Sequence, residues 1–178
     1  MSGHSKWSKI KHKKAATDAK KSAAFSKLAR LITVESKRTG GDINSPSLRV
    51  IIEKAKKTNM PSENIERAVT KGMSAEASLL ESVTYETYGP GGVAIIIEGL
   101  TDNKNRTAAE IKHMLSLHDL PLASPGSALW AFEKSPGDTW TPKTTVDLNE
   151  TDAEKLSALI EAFEEHDDVQ TVTTNATA

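Results

Sequence analysis

The chain of 178 residues has no cysteine, and aromatic residues make up only 4% of it. The absence of cysteine excludes disulfide bonds, thiol catalysis and cysteine-based zinc sites, and fits a reducing compartment. With so few aromatic residues, hydrophobic cores must be built from aliphatic side chains and alanine. Hydrophobic residues account for 37% and charged residues for 26%, a composition typical of globular rather than disordered proteins.

Long apolar segments are also missing. The longest run, Val93-Ala94-Ile95-Ile96-Ile97, is far shorter than the ~20 residues of a membrane helix and predicts a buried strand instead. The start, Met1-Ser2-Gly3-His4, lacks the apolar stretch of a secretory signal, and the basic residues near it are lysines rather than the arginines of transit peptides. We therefore expect a cytoplasmic protein that does not act at a membrane.

Charge is unevenly distributed along the chain. Residues 1–72 contain 17 Lys and Arg against 6 Asp and Glu, a net charge of +11. Residues 73–178 contain 6 basic and 18 acidic residues, a net charge of −12, so the whole chain is close to neutral at −1. Such an asymmetry predicts a polyanion-binding region joined to a second module that does not bind the polyanion.

The N-terminal lysines are predicted to contact nucleic acid. Lys14 and Lys21 share a helix face with Phe25 and Leu28, so this face changes from core to lysine toward the N-terminus, and the basic portion cannot pack as the core does. Trp7 and two histidines lie among the lysines and can stack on bases or sugars, whereas a lysine face that only aids solubility is the alternative. The predicted contacts here are His4, Lys6, Trp7, Lys9, Lys11, His12, Lys13, Lys14, Lys20, Lys21 and Lys27.

Residues 1–73 are predicted to form a basic domain, a three-helix bundle with the lysine-rich N-terminal extension. The first helix spans residues 15–38 and ends at Gly40-Gly41. The second begins at the N-cap Ser45 followed by Pro46, and the third begins near Pro61 and stops at Gly72. Residues 74–81, which are small and acidic, are interpreted as a hinge.

Residues 82–178 are predicted to form an α+β domain, an open antiparallel or mixed sheet with two helices on one face. The alternating and apolar segments that predict strands are residues 82–88, 93–98, 129–132, 144–148 and 169–173. Helical periodicity predicts helices over 105–117 and 151–166, with inward side chains Ile111, Met114, Leu115, Leu156, Leu159, Ile160 and Phe163. Residues 173–178 are expected to be a frayed tail.

Two loops of this domain resemble anion sites. Gly89-Pro90-Gly91-Gly92 joins strand to strand, so it is predicted to be a hairpin turn and not a phosphate loop, which would lead into a helix. The segment before the 105–117 helix instead carries Lys104, Asn105 and Arg106 at a helix N-terminus, where free N–H groups favour phosphate. These three residues are predicted nucleic-acid contacts, with plain helix capping as the alternative.

The sequence contains no recognisable catalytic motif. His113 and His118 do not share a helix face, and His166-Asp167-Asp168 is interpreted as solvated, so no metal site is predicted. We expect a protein that is not an enzyme and that uses no cofactor or small-molecule substrate.

Several blocks of the sequence together resemble the YebC/PmpR family, which includes the mitochondrial translational activator of cytochrome c oxidase. The matching blocks are Gly3-His4-Ser5-Lys6-Trp7, Lys13-Lys14-Ala15-Ala16-x-Asp18-Ala19-Lys20, Gly40-Gly41-Asp42, Asn59-Met60-Pro61, Tyr85-Glu86-x-Tyr88-Gly89-Pro90-Gly91-Gly92, Asp102-Asn103-Lys104-Asn105-Arg106-Thr107 and Asp167-Asp168-Val169-Gln170. Their order and spacing agree with the family from residue 2 to about residue 132, and again from about Pro142.

The chain departs from the family pattern in two places. The resemblance implies a third domain inserted within the second, yet here Glu133 leads to Pro142 through only a short segment, so we expect the insert to be absent between about 133 and 142. Lys104 stands where arginine is common, a smaller change for phosphate contact than for bidentate recognition of a base.

The resemblance implies control of gene expression by one of two mechanisms. The first is a ribosome-associated translation factor that contacts ribosomal or transfer RNA and eases synthesis of difficult stretches such as consecutive prolines. The second is a DNA-binding transcriptional regulator. The lysine extension with Trp7 favours irregular RNA. In addition, nothing in the sequence of the helical region indicates a recognition helix or a dimer that reads the half-sites of DNA. A protein-interaction adaptor that works through the acidic domain is a further alternative.

Overall fold

The basic N-terminal half folds into three helices. The structure, a computed structural model, describes residues 18–75, 77 and 80–177. Helix α1 spans Asp18–Thr39, α2 Pro46–Lys57 and α3 Ser62–Gly72, which confirms the predicted bundle. These helices belong to one of two compact units, which contains residues 16–82 and 100–104 and is called the helical unit here. The start predicted for the first helix, at residues 15–17, lies outside the described residues.

The bundle core is aliphatic, as the lack of aromatic residues predicts. Its buried side chains come from all three helices and the α2–α3 connection: Leu28, Ile32, Leu48, Ala55, Met60, Ile65 and Ala68. Two buried hydroxyls lie between α1 and α3. Ser36 donates to the carbonyl of Val69 at 2.7 Å, and the hydroxyl of Thr33 is shared between the carbonyls of Ala29 in α1 at 2.8 Å and Ala68 in α3 at 3.2 Å.

Two of the predicted helix boundaries have different physical causes from those expected. Ser45 precedes α2 but makes no side-chain cap, and its hydroxyl instead lies 3.1 Å from that of Ser47. Gly72 is the last residue of α3 and is buried against α1. A Cβ atom at Gly72 would lie 2.6 Å from the carbonyl oxygen of Thr33 and 2.5 Å from Cβ of Ser36, so this glycine permits close helix packing and does not act as a C-cap.

The second unit, called the sheet unit here, contains residues 83–99 and 105 onward. It contains all or most of the strands β1 (Glu81–Tyr88), β2 (Ala94–Thr101), β3 (Phe132–Ser135), β4 (Thr139–Pro142) and β5 (Val169–Thr174), and of the helices α4 (Lys104–Ser116) and α5 (Glu150–Glu165). One sheet has the order β1-β2-β5, with β2 antiparallel to β5. The glycine segment between β1 and β2 is the predicted turn, with φ of 69° at Gly91 and 79° at Gly92.

Strand β2 is buried on both faces. Val93, Ile95 and Ile97 form one core with α4 and α5, which confirms the prediction of two helices on one face. Ala94 and Ile96 form the other core with residues of the 128–132 segment. The unbroken apolar run of β2 follows from this double burial, because a strand covered on both sides has no solvent face to alternate.

The predicted third strand was wrong. Leu129–Ala131 is a turn of 3₁₀ helix, and β3 begins only at Phe132. The cause is the carboxylate of Glu86, which accepts hydrogen bonds from backbone N–H groups of this segment, including those of Ala128 at 2.7 Å and Leu129 at 2.9 Å. The N–H of Leu129 therefore cannot take part in a ladder, and β3 pairs with β4 in a separate two-stranded sheet.

The C-terminal segment also differs from its prediction. Residues 144–148 form no strand, and Val146 makes a single bridge with Ala176. Asn175 is buried and its side-chain oxygen accepts a hydrogen bond from the N–H of Ala94 at 2.7 Å, while the N–H of Thr177 donates to the carbonyl of Val146 at 2.9 Å. The expected frayed tail is therefore wrong for residues 173–177, which are fixed to the sheet. Among the described residues, no helix is long and apolar enough to cross a membrane.

Candidate nucleic-acid interface

The structure describes six of the predicted contact residues. The others lie outside the described residues, so their role remains a prediction from the sequence: His4, Lys6, Trp7, Lys9, Lys11, His12, Lys13 and Lys14. The six described residues occur at two places, on α1 and at the start of α4.

On α1, the change from core to lysine occurs where the sequence predicts it. Leu28 is buried and Phe25 half-buried in the bundle core, whereas Lys21, one heptad before Leu28, is exposed. Lys20 and Lys27 are also one heptad apart, and both are half-buried. The N-terminal part of α1 therefore presents lysine where its later turns pack, as an anion-binding extension of the bundle would.

At the start of α4, Lys104 and Asn105 are exposed. Nζ of Lys104 lies 2.7 Å from Oε2 of Glu81, and both side chains are more than half exposed. An exposed pair of this kind contributes ~0–1 kcal/mol and is screened by salt, so it does not prevent Lys104 from meeting a phosphate. The N–H of Asn103 donates to the hydroxyl of Thr101 at 2.9 Å, which fixes the turn that leads into the helix.

Arg106 is held by a buried carboxylate. Its Nη2 lies 2.9 Å from Oδ2 of Asp168, whose side chain is 3% exposed, and the hydroxyl of Thr107 donates to the same oxygen at 2.6 Å. The ion pair compensates much of the charge of Arg106, although the guanidinium is 42% exposed and has five N–H donors. The main role of Arg106 is thus to pair with Asp168, and its exposed N–H groups can in addition contact a phosphate.

The Asp168 network continues through His166 and Glu110. The N–H of Asp168 donates to Nδ1 of His166 at 3.1 Å, which assigns the proton to Nε2, and Nε2 lies 2.9 Å from Oε2 of Glu110. The interpretation of this segment as solvated is therefore wrong for His166 and Asp168, because the side chain of His166 is 15% exposed and Asp168 is buried.

Glu110, His166 and Asp168 offer ligand atoms that lie within 4.8 Å of one another, a spacing that could hold a metal ion. Each of these atoms already has a hydrogen-bond partner in the protein. The guanidinium of Arg106 also lies against Asp168 and would repel a cation. The arrangement is chemically a brace for the start of α4. Burial raises the pKa of Tyr85, and the negative charge of Asp168 raises it further.

Glu86 forms a second buried brace that sequence reasoning missed. Its carboxylate also accepts the N–H of Gly126 at 2.6 Å. Beside it, the Tyr88 hydroxyl donates to the carbonyl of Ser127 at 2.5 Å and accepts the ring N–H of Trp130 at 2.8 Å, so Trp130 is fixed although it is 58% exposed. Glu86 and its partners are separated by 40 residues or more, so no local pattern could reveal the contact.

Known proteins resemble this chain over nearly its whole length. A family profile described as "TACO1/YebC protein N-terminal domain" matches residues 5–75, and one described as "TACO1/YebC second and third domain" matches residues 80–137 and 134–176. A protein of Pseudothermotoga lettingae is 39% identical over 236 residues, covering 98% of this chain and 93% of its own. A protein of Dictyoglomus thermophilum is 49% identical over 161 residues, covering 89% of this chain and 64% of its own.

The two relatives carry the same name, and one solved structure has a similar fold. Both relatives are called "Probable transcriptional regulatory protein". The crystal structure of a conserved hypothetical protein from Aquifex aeolicus superposes with a TM-score of 0.83 at 34% identity, covering 97% of this chain and 96% of that one. This chain spans just under two thirds of the length of some relatives, 64% for the Dictyoglomus protein.

Proposed function

Because the chain belongs to the TACO1/YebC family, we propose that it regulates gene expression by binding nucleic acid through its basic N-terminal region. The net charge of +11 over residues 1–72 carries this proposal. Within it, the described residues 18–72 contain 12 basic and 6 acidic side chains. Neutralising phosphates with lysine and arginine releases counterions, which gives strong and salt-dependent binding.

The nucleic acid that the chemistry favours is ribosomal or transfer RNA, which makes the protein a ribosome-associated translation factor. Lysines carry no sequence information, whereas Trp7 and the two nearby histidines can stack on unpaired bases. The resemblance adds that such a factor would ease synthesis of difficult stretches, for example consecutive prolines.

A DNA-binding transcriptional regulator is the second candidate. The names of the relatives favour it, since both are called probable transcriptional regulatory proteins. Duplex DNA would be contacted through its phosphates by the same lysines, so the two candidates differ in the partner rather than in the protein surface.

We further propose that the family's third domain is missing at the β3–β4 turn. The alignment with the Pseudothermotoga relative is 236 residues long against 178 in this chain, so at least 58 positions have no counterpart here. The two matches to the second-and-third-domain profile meet at residues 134–137, within this hairpin. The boundaries that follow are a basic domain over 1–73, a hinge over 74–81 and a sheet domain over 82–178.

Ribosome co-sedimentation with crosslink mapping tests the main proposal. We expect the wild-type chain to sediment with ribosomes and crosslink to ribosomal RNA. Reversing Lys13, Lys14 and Lys21 to glutamate should weaken this association at least ~10-fold, because roughly three phosphate contacts are lost. The control reverses Lys112, Lys143 and Lys155, three exposed lysines of the sheet unit, with the same change in net charge.

Each other outcome favours a named alternative. Crosslinks confined to promoter DNA would replace the translational role with the transcriptional one. Equal loss in the two triple variants would show that overall charge and not the N-terminal surface matters. Unchanged cellular function after reversal of Lys13, Lys14 and Lys21 would favour an adaptor that acts through the acidic domain.

A further inference from the structure

Helix α3 has a groove on each side, and the two grooves differ in charge. The α1–α3 groove, of about 310 Å³, is lined on its α3 side by Asn64, Arg67 and Lys71, and none of the described residues that line it is acidic. The α2–α3 groove, of about 620 Å³, is lined by two basic and two acidic side chains: Arg49, Lys56, Glu53 and Glu66. Arg49 and Glu53 pair at 3.1 Å, so this groove is electrostatically balanced.

Helical spacing produces this difference. Asn64, Arg67 and Lys71 are three and four residues apart and therefore lie on one flank of α3, while Ile65 and Ala68 point into the core. Glu66 lies on the opposite flank with Val69 and Thr70, beside the α2–α3 groove. A single short helix thus separates a positive groove from a balanced one.

We propose that the α1–α3 groove binds a single strand of nucleic acid, with a phosphate between Arg67 and Lys71 and an unpaired base against Phe25. The inference rests on the proposed function and adds to it contact residues other than the N-terminal lysines. None of these three residues is among the contacts predicted from the sequence.

The side chains supply the chemistry that a single strand requires. Both Arg67 and Lys71 are exposed, and among the described residues Arg67 forms no ion pair, so its planar fork is available for bidentate phosphate contact. Phe25 packs against the bundle core and also lines the groove, where it offers an apolar ring to a base.

Polar groups surround that ring. Ser22 and Ser26 line the α1 side and Asn64 the α3 side, and their hydroxyl and amide groups can donate to and accept from base edges. The groove has the volume of a small ligand pocket, at the lower end of a range of ~300–1,000 Å³. Stacking on Phe25 requires a base whose face is exposed, which an unpaired base offers and a base pair inside a duplex does not, so the proposed ligand is single-stranded.

Fluorescence anisotropy with the full chain and a labelled single-stranded RNA of mixed sequence tests the proposal. We expect R67A/K71A to weaken binding by ~10-fold or more and to lower the slope of log Kd against log salt by about 1–2, since each lost phosphate contact removes ~0.7 of slope on a single strand. The matched control is R49A/K56A, which removes the same charge from the balanced groove and should change Kd by less than ~3-fold, the size expected of general electrostatics alone. Melting curves confirm that both variants are folded.

The same titration with single-stranded DNA of that sequence and with duplex DNA shows whether the groove prefers RNA, single-stranded DNA or a duplex. Tighter binding to RNA assigns the groove to RNA, and equal binding of the two single strands assigns it to either backbone, whereas a preference for the duplex overturns the proposal. Equal effects of R67A/K71A and R49A/K56A also overturn it. In that case K13E/K14E/K21E, which removes only the N-terminal contacts, still reports on the proposed function.

Crosslinking provides a second readout. RNA that contains 4-thiouridine should crosslink to the peptide carrying Phe25, and R67A/K71A should abolish that crosslink. Crosslinks confined to residues 1–14 would place the strand elsewhere and overturn the groove assignment. Failure of the wild-type chain to bind any of the three probes would overturn both the groove assignment and the proposed function.

Discussion

The helical unit and the sheet unit use charged residues in opposite ways. In the helical unit the buried polar groups of α1 are hydroxyls, Thr33 and Ser36, and the lysines and arginines of α1 and α3 are exposed or half-buried. In the sheet unit two carboxylates, Glu86 and Asp168, are themselves buried and organise the loops around them. Buried charge therefore organises the sheet unit, whereas the basic side chains of α1 and α3 lie at or near the surface of the helical unit.

The largest effect on stability is expected at Glu86. The Glu86→Gln substitution replaces an acceptor of three backbone N–H groups with an amide whose NH₂ opposes at least one of them. Leaving a buried donor unsatisfied costs ~1–3 kcal/mol, and we expect a total loss of about 3 kcal/mol in the free energy of unfolding.

Urea denaturation followed by tryptophan fluorescence measures this change, since Trp130 and Trp140 both belong to the sheet unit. Glu133→Gln is the control, because Glu133 is exposed in the same unit and should change stability by less than ~0.5 kcal/mol. Equal effects of the two substitutions would contradict a stabilising role for buried charge.

A smaller loss is expected at Gly72 of the helical unit. In Gly72→Ala the new Cβ meets the carbonyl of Thr33 and Cβ of Ser36, so α1 and α3 must separate. Overpacking of this kind costs ~1–3 kcal/mol, although alanine favours the helix itself. Thr70→Ala on the exposed side of α3 is the control, and a Gly72→Ala variant as stable as that control in thermal unfolding would show that the helices can relax freely.

Almost no loss of stability is expected when the described lysines of α1 are removed. Substituting Lys20, Lys21 and Lys27 with alanine should change the free energy of unfolding by less than ~1 kcal/mol, because surface ion pairs contribute little. The same variant should bind RNA more weakly, as measured by anisotropy. A large loss of stability with unchanged RNA binding would show that these lysines stabilise the fold and do not contact RNA.

The smallest effect at neutral pH is expected at Tyr85. Burial first, and the charge of Asp168 second, raise the pKa of Tyr85 above 10.0. The unfolded chain then ionises before the folded one, so this contribution to stability is full below pH 10.0 and is lost as pH rises through the raised value.

Thermal unfolding of wild type and Tyr85→Phe from pH 7 to 11 tests this dependence. The difference between the two proteins should be constant up to about pH 10, and above it the wild type should lose stability relative to the variant. A difference that stays constant throughout would contradict the shift.

The helices and their packing faces could be predicted from the sequence because their causes are local. The periodicity of Leu28 and Ile32 in α1, and of Leu156, Leu159 and Phe163 in α5, fixes both the helix and its buried face. The β3–β4 sheet could not be predicted in the same way. The apolar segment Leu129-Trp130-Ala131-Phe132 has the composition of a strand, but the N–H of Leu129 binds the distant carboxylate of Glu86 and the first part of the segment is a 3₁₀ turn.

The candidate interface, like the fold, could be predicted from the sequence only where its cause is local. A lysine run is visible in any local window, so the placement of Lys21 outside the core could be foreseen. The partner of Arg106 could not, because Asp168 is 62 residues away. The α1–α3 groove was also invisible, since it needs Phe25 and Arg67 from two different helices.

The pairing of β2 with β5 sets the order in which the chain can fold during synthesis. Ile97 pairs with Val172, so the three-stranded sheet cannot close until the segment around residue 172 has left the ribosome. The three helices of the helical unit end at Gly72, so their bundle can fold long before that point. Between the two events, the apolar strand β2 lacks its neighbour β5, and this interval is when the nascent chain is most prone to aggregate.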